Sequence, residues 1–202
     1  MTVLPTSLGR IAVVLNLLTY VLIRWPHGNR WKTVTVADDR QGRLEFALLV
    51  GATLGTTMIP LTWVVLAFPS FANYPLHPIV FGAGVVFAVL GNWVFYRTHA
   101  DLGLNWSVTL QLRDGHELVT NGIYRRIRHP MYLAMFLQGI GQALFLPNWI
   151  AGPAWLMSFG LLYLLRVGKE ERMMLDQFGD EYTSFMKQSG RLLPPLKKPD
   201  GQ

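Results

Sequence analysis

The chain has 202 residues, of which 51% are apolar, 12% aromatic and only 15% charged, where an ordinary soluble domain carries about 25% charged residues. That composition, with a positive mean hydropathy, argues against a soluble domain and for a membrane. The formal net charge of +6 is spread in short clusters between apolar runs and there is no cysteine. A nucleic-acid face, disulfides, thiolate metal sites and a cysteine nucleophile are thereby excluded.

The first apolar run, Leu8 to Ile23, ends at Arg24-Trp25-Pro26. It is just long enough to span, since about 20 residues cross a hydrocarbon core of roughly 30 Å. No small-residue cleavage site follows it, so it reads as a retained helix and not a signal peptide. Residues 24–43 form a basic polar loop. The second run, Leu44 to Phe68, has Pro60 after a section rich in small residues and Thr. Such residues let helices approach closely, and Thr hydroxyls can take up the backbone groups that a proline frees. The third run, Pro78 to Tyr96, carries Gly82, Gly84 and Gly91, with Trp93 and Tyr96 placed for an interfacial belt.

Next comes a polar stretch, His116 to Tyr132, with two His, three Arg and two Tyr in seventeen residues. Groups of this kind at a membrane edge are costly unless they hold something, so a functional site is expected there. Met131 to Leu146 and Trp149 to Leu165 follow as two apolar runs joined at Pro147-Asn148, a helical hairpin. From Arg166 to about Gln188 the pattern becomes an amphipathic helix.

The loops 24–43, 97–130 and 166–202 are basic, whereas 69–77 and 147–148 carry no formal charge. Five spans satisfy this distribution with the N-terminus outside and the C-terminus in the cytoplasm. The expectation is an all-α polytopic protein of the cell (inner) membrane: a cytoplasmic pocket, an amphipathic C-terminal helix and a single domain over 1–202. Residues 1–98 hold three helices and 99–202 the functional region.

This topology brings the polar stretch and the last helix to one side. Arg166 and Glu170, four residues apart, share a helical face, and Tyr163 lies one turn earlier. Arg125 and Arg126 read equally well as a stop-transfer cluster on anionic lipid. No zinc-type spacing joins His116 and His129, so no metal is expected. Gly115 and Gly122 follow no strand and do not make a phosphate-cradling loop. Spacing alone yields a polar cytoplasmic pocket without a reaction.

Three ordered motifs add one. His116-x-Leu118-Val119-Thr120-x-Gly122-x-Tyr124 is the first and Arg128-His129-Pro130-x-Tyr132 the second. The third joins Glu170-Glu171 to Phe178-Gly179-Asp180-Glu181-Tyr182. Together they resemble the isoprenylcysteine carboxyl methyltransferase family and the related phospholipid methyltransferases, over roughly Leu102 to Pro195. Position 131 is Met where the eukaryotic members usually have Ser, and the acidic run is Glu170-Glu171.

The resemblance implies S-adenosylmethionine as methyl donor, with S-adenosylhomocysteine as product. It implies cofactor contacts at His116, Glu117, Leu118, Val119, Tyr124, His129, Pro130, Met131, Tyr132 and Glu170. Arg166 matches the substrate-side arginine of the family and Arg128 the arginine before its His-Pro pair, giving the two candidate catalytic residues. The implied acceptor is lipophilic, enters from the bilayer, and is most simply an isoprenylcysteine-like carboxylate. N- or S-methylation of an amine or thiol, a sterol-type NADPH-dependent reductase and a non-catalytic scaffold or transporter are the alternatives.

Overall fold

The structure is a computed structural model that describes residues 2–28, 36–39, 42–103, 111–113 and 117–195. Helix α1 (Thr6–Gly28) is followed by a short strand β1 (Val36–Asp39) and by helix α2 (Arg43–Thr53). A π-helical turn, Leu54–Met58, joins α2 to α3 (Ile59–Leu66), making one almost continuous rod with Pro60 at the start of α3. Helix α4 spans Pro78–Leu102, strand β2 Gln111–Arg113, helix α5 Pro130–Phe145 and helix α6 Ala154–Gln188. Three rods, Thr6–Pro26, Arg43–Leu66 and Pro78–Leu102, are long and apolar enough to cross a membrane. Their outward side chains, including Leu22, Phe46, Val65, Ile79 and Val89, are exposed, as lipid-facing residues should be.

The last two of the five expected spans behave differently. Helix α5 has 16 residues, about 24 Å at 1.5 Å per residue, which is short for a full crossing. It packs mainly against α4 through small residues. A Cβ added to Gly84 would stand 2.8 Å from the Phe145 nitrogen, and one on Gly91 would stand 2.9 Å from that of Gln138. Backbones can approach so closely only where side chains are missing. Helix α6 covers 35 residues with one kink at Gly179, and the amphipathic segment from Arg166 continues the apolar one as helix up to that kink.

The hairpin between α5 and α6 is also longer than the expected Pro147-Asn148 joint. The Asn148 side-chain oxygen accepts from the Ile150 and Ala151 amides, a local turn that competes with helix. The helix restarts only after Pro153, which caps it. Trp149 and Ile150, read as helical from their hydrophobicity, lie in this turn.

Two layers of loop contacts define the faces. At one face Leu4 bridges Leu76, and Asn73 bridges Asn148. At the other, β1 and β2 pair antiparallel with Val36 opposite Arg113 and Asp39 opposite Gln111. The loops before α2 and after α4 therefore meet on one side, as the five-span order requires. Between the faces Asn92 donates to Asn16 at 2.8 Å, a hydrogen bond between side-chain amides of α4 and α1 inside the apolar layer.

Candidate functional site

The pocket side is built where α4 ends. Asp101, in its last turn, accepts from the Ile123 amide at 2.8 Å and so holds the 3-10 turn Gly122–Arg125. Gly122 has φ +54, and a Cβ there would meet the Asp101 carboxylate at 2.2 Å. Glycine is required at this turn on both counts. The turn buries Tyr124, and burial pushes its phenol well above the ordinary tyrosine value.

His129-Pro130 starts α5. Proline fits the first helical position because its missing amide would be unpaired there anyway, and it keeps the preceding residue out of the helix. His129 accordingly has φ −123 and ψ 60. Its imidazole stands between two carboxylates of α6, with Nδ1 3.7 Å from Glu170 and Nε2 3.4 Å from Glu171.

Helix α6 folds back onto this segment because it bends at Gly179, whose φ of 51 and ψ of −120 break the helix. An L side chain is disfavoured at that positive φ. The bend carries Tyr182 and Phe185 into the pocket wall and lays residues 189–191 beside 126–129. Gly190 donates to Arg126, while Arg128 and His129 donate to Gly190 and Arg191 through their amides.

Glu171 ties the two strips together. It accepts from Arg128 Nε at 3.3 Å and from Arg191 Nε at 3.1 Å, and Arg191 Nη2 closes a second contact. Burial alone would push its carboxyl up. The His129 imidazole 3.4 Å away and the hydrogen bonds from Arg191 outweigh that and hold it down at about 2. Arg128 also donates to the Met186 and Ser189 carbonyls at the end of α6, where a cation complements the helix dipole.

Arg166 lies deeper. It is 6% exposed; Nε donates to Glu170 at 3.0 Å, and Nη1 stands 2.9 Å from Glu45 of α2. Tyr132 stacks edge-on to Tyr163 with ring centres 5.0 Å apart, forming an aromatic wall beside the guanidinium.

These groups enclose a cavity of about 330 Å³ with two unlike ends. The polar end is lined by Glu117, Arg128, His129, Arg166 and Glu170, with Met131, Met173, Met174, Tyr182 and Phe185 as soft walls. The other end runs between helices and is lined by Leu49, Ala52, Thr53, Thr56, Phe95 and Phe159. Of the twelve residues singled out from the sequence, Glu117, Leu118, Val119, Tyr124, Arg128, His129, Pro130, Met131, Tyr132, Arg166 and Glu170 all line this one cavity. His116 lies outside the described residues.

Sequence reasoning missed Tyr20, Arg24 and Glu45. Tyr20 stacks on Phe95 at 4.8 Å and accepts from Arg24 at 2.7 Å, and both line the cavity. A tyrosine and an arginine one turn apart at the end of α1 look like interfacial anchoring. Glu45 reads as an ordinary first-turn acid of α2. Among the described residues no cluster of three or more metal-ligating side chains occurs.

The fold and the cavity define an integral membrane protein with a pocket where its buried helices meet the polar surface. A family model of isoprenylcysteine carboxyl methyltransferases (ICMT) matches residues 83–176. The protein-S-isoprenylcysteine O-methyltransferase of Tribolium castaneum is 30% identical over 113 residues, covering 55% of this chain and 40% of that protein. The Homo sapiens protein of the same name is 30% identical over 116 residues, covering 56% and 41%. The match thus spans less than half the length of these two relatives. A probable protein-S-isoprenylcysteine O-methyltransferase of Oryza sativa subsp. indica is 25% identical over 180 residues, 87% of either chain. A solved structure of the eukaryotic intramembrane Ras methyltransferase ICMT shares the fold. Its TM-score is 0.52 at 22% identity, over 78% of this chain and 55% of that one. This chain is thus similar to those methyltransferases in sequence over 83–176 and in fold over 78% of its length.

Proposed function

We propose that this protein is an S-adenosylmethionine-dependent membrane methyltransferase that methylates the carboxylate of a lipophilic, isoprenylcysteine-like acceptor. One observation carries the reading. A buried guanidinium, Arg166, stands where a polar end lined by the expected donor-site residues joins an apolar end that runs between helices.

The residues present suit the donor. Glu170, Glu117 and His129 provide partners for an amino-acid and ribose portion. Met131, Met173, Met174 and Phe185 provide apolar surface for a base, and Tyr124 and Tyr132 provide ring faces for a sulfonium. When bound, the donor supplies a methyl group on a positively charged sulfur, open to in-line displacement. The chain's own contribution is positioning and exclusion of water. Arg166 orients the acceptor oxygen by charge-assisted hydrogen bonds. A carboxylate is already ionised at neutral pH, so no residue need remove a proton. A lipophilic amine is the second reading, favoured by the two carboxylates, Glu45 and Glu170, already on Arg166.

Calorimetric titration of the purified protein in detergent should show binding of S-adenosylhomocysteine and none of NADPH. Binding of NADPH alone would move the assignment to a reductase. Methyl transfer from labelled donor, with mass spectrometry of the lipid product, separates carboxyl from amine acceptors.

The proposed site faces the cytoplasm of the inner membrane, as the basic loops suggest. The absence of cysteine in the chain makes this simple to test. In intact cells an impermeant thiol reagent should label Ser70→Cys, and it should reach Thr120→Cys only after permeabilisation. The opposite pattern reverses the topology.

A further inference from the structure

One buried carboxylate belongs to none of the motifs. Glu45 sits in the first turn of α2, is 5% exposed and lies outside the segment 83–176 that the family model matches. Its Oε1 is 2.9 Å from Nη1 of Arg166, whose Nε already donates to Glu170 at 3.0 Å. Neutrality does not require Glu45, since Glu170 alone balances the guanidinium. Burying a charge is costly unless it is paired, and such a charge at a membrane edge points to function.

Two carboxylates around one guanidinium leave the cluster with net negative charge, and Lys169, the residue before Glu170 on α6, is exposed. An incoming anionic headgroup would be a third carboxylate on one cation, so one of the residents must give way. Glu170 is fixed by its place on the same helix four residues on, and it also faces His129 at 3.7 Å. Glu45 reaches Arg166 from a separate helix. Its displacement leaves the Arg166–Glu170 pair whole.

We propose that Glu45 is a specificity-determining residue of the acceptor site, a resident carboxylate on Arg166 that any anionic headgroup must displace. This rests on the reading above that the acceptor's head docks at Arg166. The competition lowers the affinity of the site for anions in general, including the anionic lipids that surround it. An acceptor succeeds when its tail is also held by the apolar end of the cavity.

The test titrates the full chain, saturated with S-adenosylhomocysteine in neutral detergent, with two probes that share a farnesyl thioether tail. One ends in a carboxylate and the other in a primary amine. E45Q keeps the shape of the side chain and removes its charge. It should bind the carboxylate probe about tenfold more tightly than wild type and the amine probe no more tightly. Equal shifts for both probes, or none, overturn the proposal. Should E45Q not fold, E45D draws the carboxylate back by one methylene and should give a smaller gain, about threefold, for the carboxylate probe; no gain overturns the idea. R166A separates the two levels. Carboxylate binding that survives R166A sinks the docking reading itself. Binding lost in R166A yet unchanged in E45Q sinks only the role given to Glu45.

Discussion

Arg166→Ala is expected to lower kcat by about a thousandfold while the affinity for S-adenosylhomocysteine changes by less than about threefold. A thousandfold is roughly 4 kcal/mol of transition-state stabilisation, the size expected for removal of a buried charged donor that positions the reacting group. The asymmetry follows from geometry. Arg166 stands at the junction of the two ends of the cavity, whereas the soft walls of the polar end lie further along α6 at Met173, Met174, Tyr182 and Phe185. Arg166→Lys keeps the charge and loses the planar fork, so it should retain stability and recover only part of the rate. Equal loss of turnover and donor affinity in both variants would mean that Arg166 holds the donor instead.

The second large effect is expected at Glu171. Glu171→Gln leaves Arg128, His129 and Arg191 facing an amide, and breaking one partner of a buried ionic cluster costs on the order of 3–5 kcal/mol. The strips 126–129 and 189–191 should separate, so donor binding should weaken together with thermal stability. Acid makes the test specific. Because the folded carboxyl is held at about 2, below its ordinary value of 4.5, its contribution is fully present above about pH 4.5. It is lost as pH falls from there toward 2. The wild-type melting temperature should therefore fall across that window, and the Gln variant should lack this part of the slope. Identical acid slopes in the two proteins would remove Glu171 from the clamp.

Much of the site was legible because local chemistry marks it. His129-Pro130 announces a helix start, Arg166 and Glu170 announce a shared face, and Asn121-Gly122 announces a turn. All of these depend on residues close in sequence. Phe178-Gly179-Asp180 entered as part of a motif, and its physical reason is the positive φ that bends α6. The end of the amphipathic helix near Gln188 was likewise readable, from the loss of periodicity before Gly190.

Other features depend on residues far apart in sequence and had no local signal. Arg128 lines the cavity with Arg166, and it also donates to Glu171 and to the carbonyls that end α6. Nothing in Arg128-His129-Pro130 reveals that residues 186–191 return to meet it. Tyr20, Arg24 and Glu45 look like interface residues until the helices are assembled. Helix α5 reads as an ordinary apolar run, while its small residues hold it against α4 as a short buried rod.

The sequence by itself determined the membrane, the order of the apolar rods, the polar stretch and the family likeness. Those depend on composition, periodicity and short spacings, which a chain carries locally. Tertiary structure alone decided that one cavity joins the polar stretch to α1, α2 and α6, and that Arg166 holds a carboxylate from each of two helices. The physical reason is that burial and ion pairing are properties of distance in space, and here helix packing and one glycine bend set those distances.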